Sequence, residues 1–172
     1  MNIRHRKPNQ LRDFDYSQPG WYFVTICTKN FVHHFGEIEN DDFRLNKYGM
    51  IVKKSWLWLE KQYPYCELDK YVIIPNHLHG ILIIDPDNIN SVGTIRELSL
   101  QKNQTKIKSL SELIGAFKTK SSKEIHLSGN INFKWQRSFY DRIIRNENEL
   151  YYIRHYIKFN PQKWSIKKNL NN

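Results

Sequence analysis

The chain has 172 residues, long enough for one domain with a sizeable core of its own. Hydrophobic residues make up 40% and aromatics 14%, which excludes a disordered tail. Lysine and arginine number 27 against 17 acidic residues, a net charge of +10, so the expected partner is a polyanion, with nucleic acid ahead of an anionic membrane surface.

Run length argues against a membrane-spanning role. The longest apolar runs, Tyr71 to Pro75 and Gly80 to Ile84, fall far short of the roughly 20 residues a spanning helix needs. The basic N-terminus, MNIRHRKPNQLRDFDY, has no apolar stretch behind it and is not read as a signal peptide. Cys27 and Cys66 form no C-x-x-C pair, so the expectation is a reduced cytoplasmic protein with two structural thiols and no zinc knuckle.

Taken in order, residues 1–20 are a basic arm ending on the turn former Pro19-Gly20. Trp21 to Lys29, WYFVTICTK, is dense in aromatic and β-branched residues and predicts a strand. Phe35 to Leu45 reads as a hairpin turning at Asn40-Asp41-Asp42. Ile51, Val52, Trp56 and Leu59 recur at helical spacing and predict a helix over Tyr48 to Gln62.

Leu68 to Ile74 and Leu78 to Ile84 read as strands joined by the turn formers Pro75-Asn76. Residues 86–108 are polar and predict a loop or insertion. Ser109-Leu110-Ser111-Glu112 is a capping box that opens a second helix with a lysine-rich face. Phe139 to Arg145 predicts another strand. Asn146 or Asn148 then caps a last helix, expected to stop at Pro161 and leave residues 161–172 as a tail. Without the early hairpin the order is βαββαβ plus a helix. That is an α+β, ferredoxin-like or RRM-like antiparallel sheet with helices on one face.

Two stretches carry chemistry. His77 and His79 stand at i and i+2 on a strand, so both imidazoles emerge on one face, while Leu78 points the other way. The pairing that a Pro75-Asn76 turn imposes sets them opposite Ile74 and Val72, and Asp85 lies about 20 Å further along the strand. A third metal ligand must come from another element. In NENELYYIRHYIKFNP, Leu150, Ile153 and Ile157 make a buried stripe. Tyr152, Tyr156 and Asn160 recur every four residues beside it and share a face.

KYVIIPNHLHGILII, the basic helix after it, KWQRSFYDRIIRNENEL and HYIKFNP together resemble the HUH single-tyrosine transposases, in particular the REP-associated tyrosine transposase group. The resemblance runs from about Trp21 to Asn160. It implies that His77 and His79 are metal ligands, Tyr156 the nucleophile, and Asn160 the third ligand, where related transposases often carry glutamine. It implies a divalent ion, Mg2+ or Mn2+, and cleavage and rejoining of single-stranded DNA through a 5′-phosphotyrosine, on a substrate with an adjacent hairpin. The Trp135-Gln136-Arg137 element matches the group without an assigned role.

Basic residues expected to face that DNA are Arg4, Arg6, Lys7 and Arg12 in the arm, and Lys118, Lys120 and Lys123 on the second helix. Neither a monomer nor a homodimer is favoured by the sequence, so Tyr156 could serve its own chain or a partner. The rival reading is a non-catalytic RRM-like single-stranded nucleic-acid binder, which calls for exposed aromatics on the sheet where this chain has histidines.

Overall fold

A computed structural model describes residues 15–39, 42–88 and 107–170. The elements in order are β1 (Gly20–Cys27), β2 (Gly36–Glu39), β3 (Asp42–Leu45), α1 (Lys47–Gln62), β4 (Cys66–Ile74), β5 (His77–Ile84), α2 (Leu110–Leu127), β6 (Tyr140–Ile144) and α3 (Glu147–Leu170). β2 and β3 form the separate early hairpin. The other four strands make one antiparallel sheet in the order β4-β5-β1-β6, the ferredoxin-like arrangement.

Helix starts follow local chemistry. The Asn46 side chain accepts from the backbone N–H groups of Tyr48 and Gly49 and opens α1. Ser109 and Glu112 close a reciprocal capping box on α2. Asn146, the first of the two expected caps, accepts from the N–H of Glu149 to start α3.

Strand alternation sorts the side chains onto two faces. Tyr22, Val24 and Ile26 of β1 and Leu78 and Leu82 of β5 join Val52, Trp56, Leu59, Leu113, Ile114 and Phe117 in the main core under α1 and α2. Gly80, the glycine of HLHG, lets this core close. A Cβ there would stand 2.6 Å from the fully buried Trp56 indole. On the opposite face Ile81 and Ile144 pack with Leu150, Ile153 and Ile157, the stripe expected on the last helix, and with Trp21, Phe23 and Val72. Helices α1 and α2 therefore share one face, and α3 covers the other.

Two local features differ from expectation. A 3-10 turn at Lys29–Phe31, with Asn30 and Phe31 both at positive φ, interrupts the path from β1 to the hairpin. Helix α3 runs through Pro161 to Leu170 instead of stopping, so residues 161–170 are helical and not a tail. Proline has a helical φ, but it lacks the N–H that would bond the Ile157 carbonyl and its ring crowds that carbonyl, so the helix continues at a local cost of about 3 kcal/mol. The expected turn at Asn40-Asp41 and most of the 86–108 loop lie outside the described residues. No helix among the described residues is long and apolar enough to cross a membrane.

Candidate active site

β5 begins at the site. His77 pairs with Cys27 of β1 and Ile74 of β4, and His79 with Thr25 and Val72, so both imidazoles lie on the α3 face. The turn that presents them is held firmly. The Pro75 carbonyl accepts from the N–H groups of His34 and Phe35, and the Asn76 carbonyl from that of Thr28.

Each Nδ1 has a partner behind it. The Asn76 side chain donates through Nδ2 to the Phe31 carbonyl, which turns its Oδ1 toward His77 Nδ1 at 2.7 Å. His77 therefore carries its proton on Nδ1 and presents a lone pair at Nε2. The Thr25 hydroxyl lies 2.7 Å from His79 Nδ1. The two Nε2 atoms converge to 2.9 Å, and Phe23 stacks on the back of the His79 ring at 5.5 Å.

Burial sets the charge state. Desolvation pushes His77 down to about 4, and desolvation with the neighbouring His77 pushes His79 down to about 3. Both imidazoles are neutral near pH 7, as metal ligands must be.

α3 adds the remaining groups. The Tyr156 hydroxyl lies 3.3 Å from His79 Nε2, its ring 5.2 Å from the His79 ring and edge-on to Phe23 at 6.1 Å. Asn160, one turn on, is buried at 7% exposure, while Tyr156 is 39% exposed and Tyr152, one turn back, 71%. Along one helix face, exposure thus falls steeply from Tyr152 to Asn160.

The donor set suits a divalent cation. Two cis ligands of an octahedral ion with bonds of about 2.1 Å stand about 3 Å apart, close to the observed imidazole separation. The backing of each Nδ1 is the hydrogen-bonded support that ligating histidines use. Among the described residues no three His, Cys, Asp or Glu side chains gather as a metal site. The buried amide of Asn160 stands one helical turn beyond Tyr156 on α3 and is the candidate for a third ligand.

The basic residues fall into three groups. Arg4, Arg6, Lys7 and Arg12 lie outside the described residues. Lys118 turns inward: its Nζ donates to the carbonyls of Gln136, Arg137 and Ser138, and desolvation lowers its ammonium to about 8. Lys120 pairs with Glu124 and sits over Trp58, while Lys123 is exposed beside a cleft toward Arg137. None of the three joins the histidines.

Lys118 also explains the Trp135-Gln136-Arg137 element. Trp135 enters the main core and donates from Nε1 to Ser121 Oγ. The Gln136 N–H donates to the Cys27 carbonyl, and the Lys29 N–H to the Lys134 carbonyl. The segment thus continues the pairing line of β6 past the end of β1.

Sequence reasoning missed Asn76, Thr25 and Phe23. Asn76 adjoins His77 in PNHLH, so the motif held a signal for it. Thr25 and Phe23 reach His79 only through the β1–β5 register, which the local pattern of neither strand reveals. Cys27 and Cys66 are buried and free, and burial raises both thiols, Cys66 to about 12, which removes thiolate chemistry near pH 7.

No family model matches the chain. An uncharacterized protein of Haemophilus influenzae is 37% identical over 168 residues, spanning 94% of this chain and 91% of its own. Among solved structures, a REP-associated tyrosine transposase bound to a REP hairpin superposes with a TM-score of 0.58 at 18% identity. That match covers 90% of this chain and 73% of the other, and at such identity the likeness is one of fold.

Proposed function

The chain belongs to one family with the Haemophilus influenzae protein, and from that premise and its fold we propose that it is a metal-dependent single-stranded DNA transposase whose nucleophile is Tyr156. The observation that carries this reading is the meeting of the Tyr156 hydroxyl with His79 Nε2 at 3.3 Å, beside a second imidazole. Histidines packed for structure alone would not need to converge their outer nitrogens on a half-exposed phenol.

His77 and His79, with the Asn160 amide, would hold Mg2+ or Mn2+, which supplies charge neutralisation and Lewis acidity at a phosphate. Asn76 and Thr25 keep the two imidazoles aimed. Phe23 and the ring of His79 wall the Tyr156 phenol and restrict its approach.

A phenol is a weak nucleophile at neutral pH and gains from such company. Its oxygen forms the new bond to phosphorus as the bond to the 3′ oxygen breaks. The phenolic proton is lost and the leaving oxygen takes one up. The products are a 5′-phosphotyrosine and a free 3′-OH. Attack on that link by another 3′-OH joins new partners without nucleotide hydrolysis. His79 and Tyr156 meet within one chain, which favours a complete site in each protomer. The rival RRM-like binder is disfavoured because α3 covers the sheet face it would use.

A denaturing gel tests the reading. Wild-type protein incubated with hairpin-bearing single-stranded DNA and Mn2+ should give a covalent protein–DNA band that EDTA abolishes. Tyr156→Phe should lose the band and Tyr152→Phe should keep it. A band that survives Tyr156→Phe overturns the assignment.

A further inference from the structure

Helix α3 exposes more aromatic surface than a solvent-facing helix needs. Tyr151 is 62% exposed and Tyr152 71%. Tyr151, His155 and Phe159, spaced four apart, form a ladder with ring centroids 5.8 and 4.5 Å apart. Two clefts flank the ladder. One, of about 380 Å³, is lined by Tyr152, His155, Tyr156 and Phe159. The other, of about 600 Å³, lies between α3 and β4, an edge strand of the sheet, and is lined in part by Lys70, Tyr71, Tyr151, Arg154, His155 and Lys158. His155 is a wall of both, so the basic cleft adjoins the aromatic one, and the aromatic one adjoins Tyr156.

We propose that these two clefts form one track for single-stranded nucleic acid, with unpaired bases stacking on the Tyr151–His155–Phe159 ladder and the strand entering between β4 and α3 to reach Tyr156. This rests on Tyr156 being the reaction centre, while the binding itself can be read apart from any reaction. Base π-faces accept aromatic partners whatever the sequence, but only when unpaired. Lys70 and Lys158 supply the positive charge a phosphate backbone calls for. The nearby acid, Asp69, is already bound to Arg154 at 2.6 Å. A second copy of this chain is a poorer occupant, because a two-fold contact would bring the same cations against one another.

Fluorescence anisotropy with a labelled oligothymidylate of about twelve nucleotides, within the usual site size for such binders, reads this directly. The full chain carries Tyr156→Phe and the buffer holds EDTA, so neither covalent chemistry nor metal contributes. Adding Tyr151→Ala and His155→Ala should weaken binding at least about tenfold, whereas Tyr151→Phe with His155→Phe should stay within about twofold of the parent. A blunt duplex of the same length should bind weakly and respond little.

Undiminished binding by the alanine pair overturns the proposal. So does an equal loss on duplex, or a parent dimer that the alanine pair converts to monomer in sedimentation. If wild-type protein forms no covalent adduct yet the alanine pair still loses binding, the catalytic reading fails and the track stands. If the adduct forms and the alanine pair binds undiminished, the track fails and the catalytic reading stands.

Discussion

Thr25 reaches from β1 to place its hydroxyl 2.7 Å from Nδ1 of His79, two strands meeting to fix one imidazole. Asn76 does the same for His77 from the turn. Such backing groups orient a ligand and tune its basicity, and losing one costs about 10- to 100-fold in metal affinity. Thr25→Val keeps the shape and removes the hydroxyl, so Mn2+ affinity by calorimetry should fall by that range while the fold persists. Asn76→Ala should match or exceed it, since it also frees the Phe31 carbonyl. An unchanged Mn2+ affinity in both variants would show that the imidazoles need no support or bind no metal.

The buried histidines also give stability a pH dependence. Folded His77 titrates at about 4 and His79 at about 3, against an ordinary 6.5. Between 6.5 and about 4 the unfolded chain binds protons that the folded chain refuses, so stability falls as pH drops through that window and is unaffected by these groups above it. The thermal midpoint should therefore decline on acidification below about pH 6.5, by an amount worth a few kcal/mol at about pH 4.5. His77→Gln with His79→Gln should flatten that decline. An acid profile parallel to wild type would remove the histidines as its cause.

Most of the fold was legible because its signals are local. The aromatic and β-branched density of WYFVTIC, the capping box at Ser109 and the stripe of Leu150, Ile153 and Ile157 each report a single element. The pairing of His77 with Ile74 and His79 with Val72 was legible as well, because a tight Pro75-Asn76 turn leaves one register. What stayed hidden depends on contacts between distant segments. The side of the sheet that α3 covers is one such contact. The inward turn of Lys118, which in sequence is one more lysine on a basic helix, is another.

Gly80 should resist the smallest enlargement. Its missing Cβ is filled by the Trp56 indole, buried completely and packed edge-on to Phe117 at 5.4 Å. Interior packing is dense, and forcing a methyl group into it costs about 1–3 kcal/mol. Gly80→Ala should lower denaturant stability by that amount, and Trp56→Phe in the same chain should recover part of it by opening space. A neutral Gly80→Ala would mean that the indole can swing aside freely.

Lys118 and Lys123 lie on one helix yet should behave as different kinds of lysine. The Nζ of Lys118 satisfies the carbonyls of Gln136, Arg137 and Ser138 and lies 5.6 Å from the Phe139 ring, so it staples the stretch between Trp135 and β6. Lys118→Met keeps the stem and strips the donors, leaving carbonyls unpaired at about 1–3 kcal/mol in total. Its thermal midpoint should drop while the salt dependence of single-stranded DNA binding stays put, because a cation already engaged with protein carbonyls releases no phosphate counterion. Lys123→Ala, on an exposed position, should leave the midpoint within about 0.5 kcal/mol of wild type, and any effect it has should fall on the salt slope. A shallower slope for Lys118→Met with an unshifted midpoint would reassign Lys118 from the fold to the DNA.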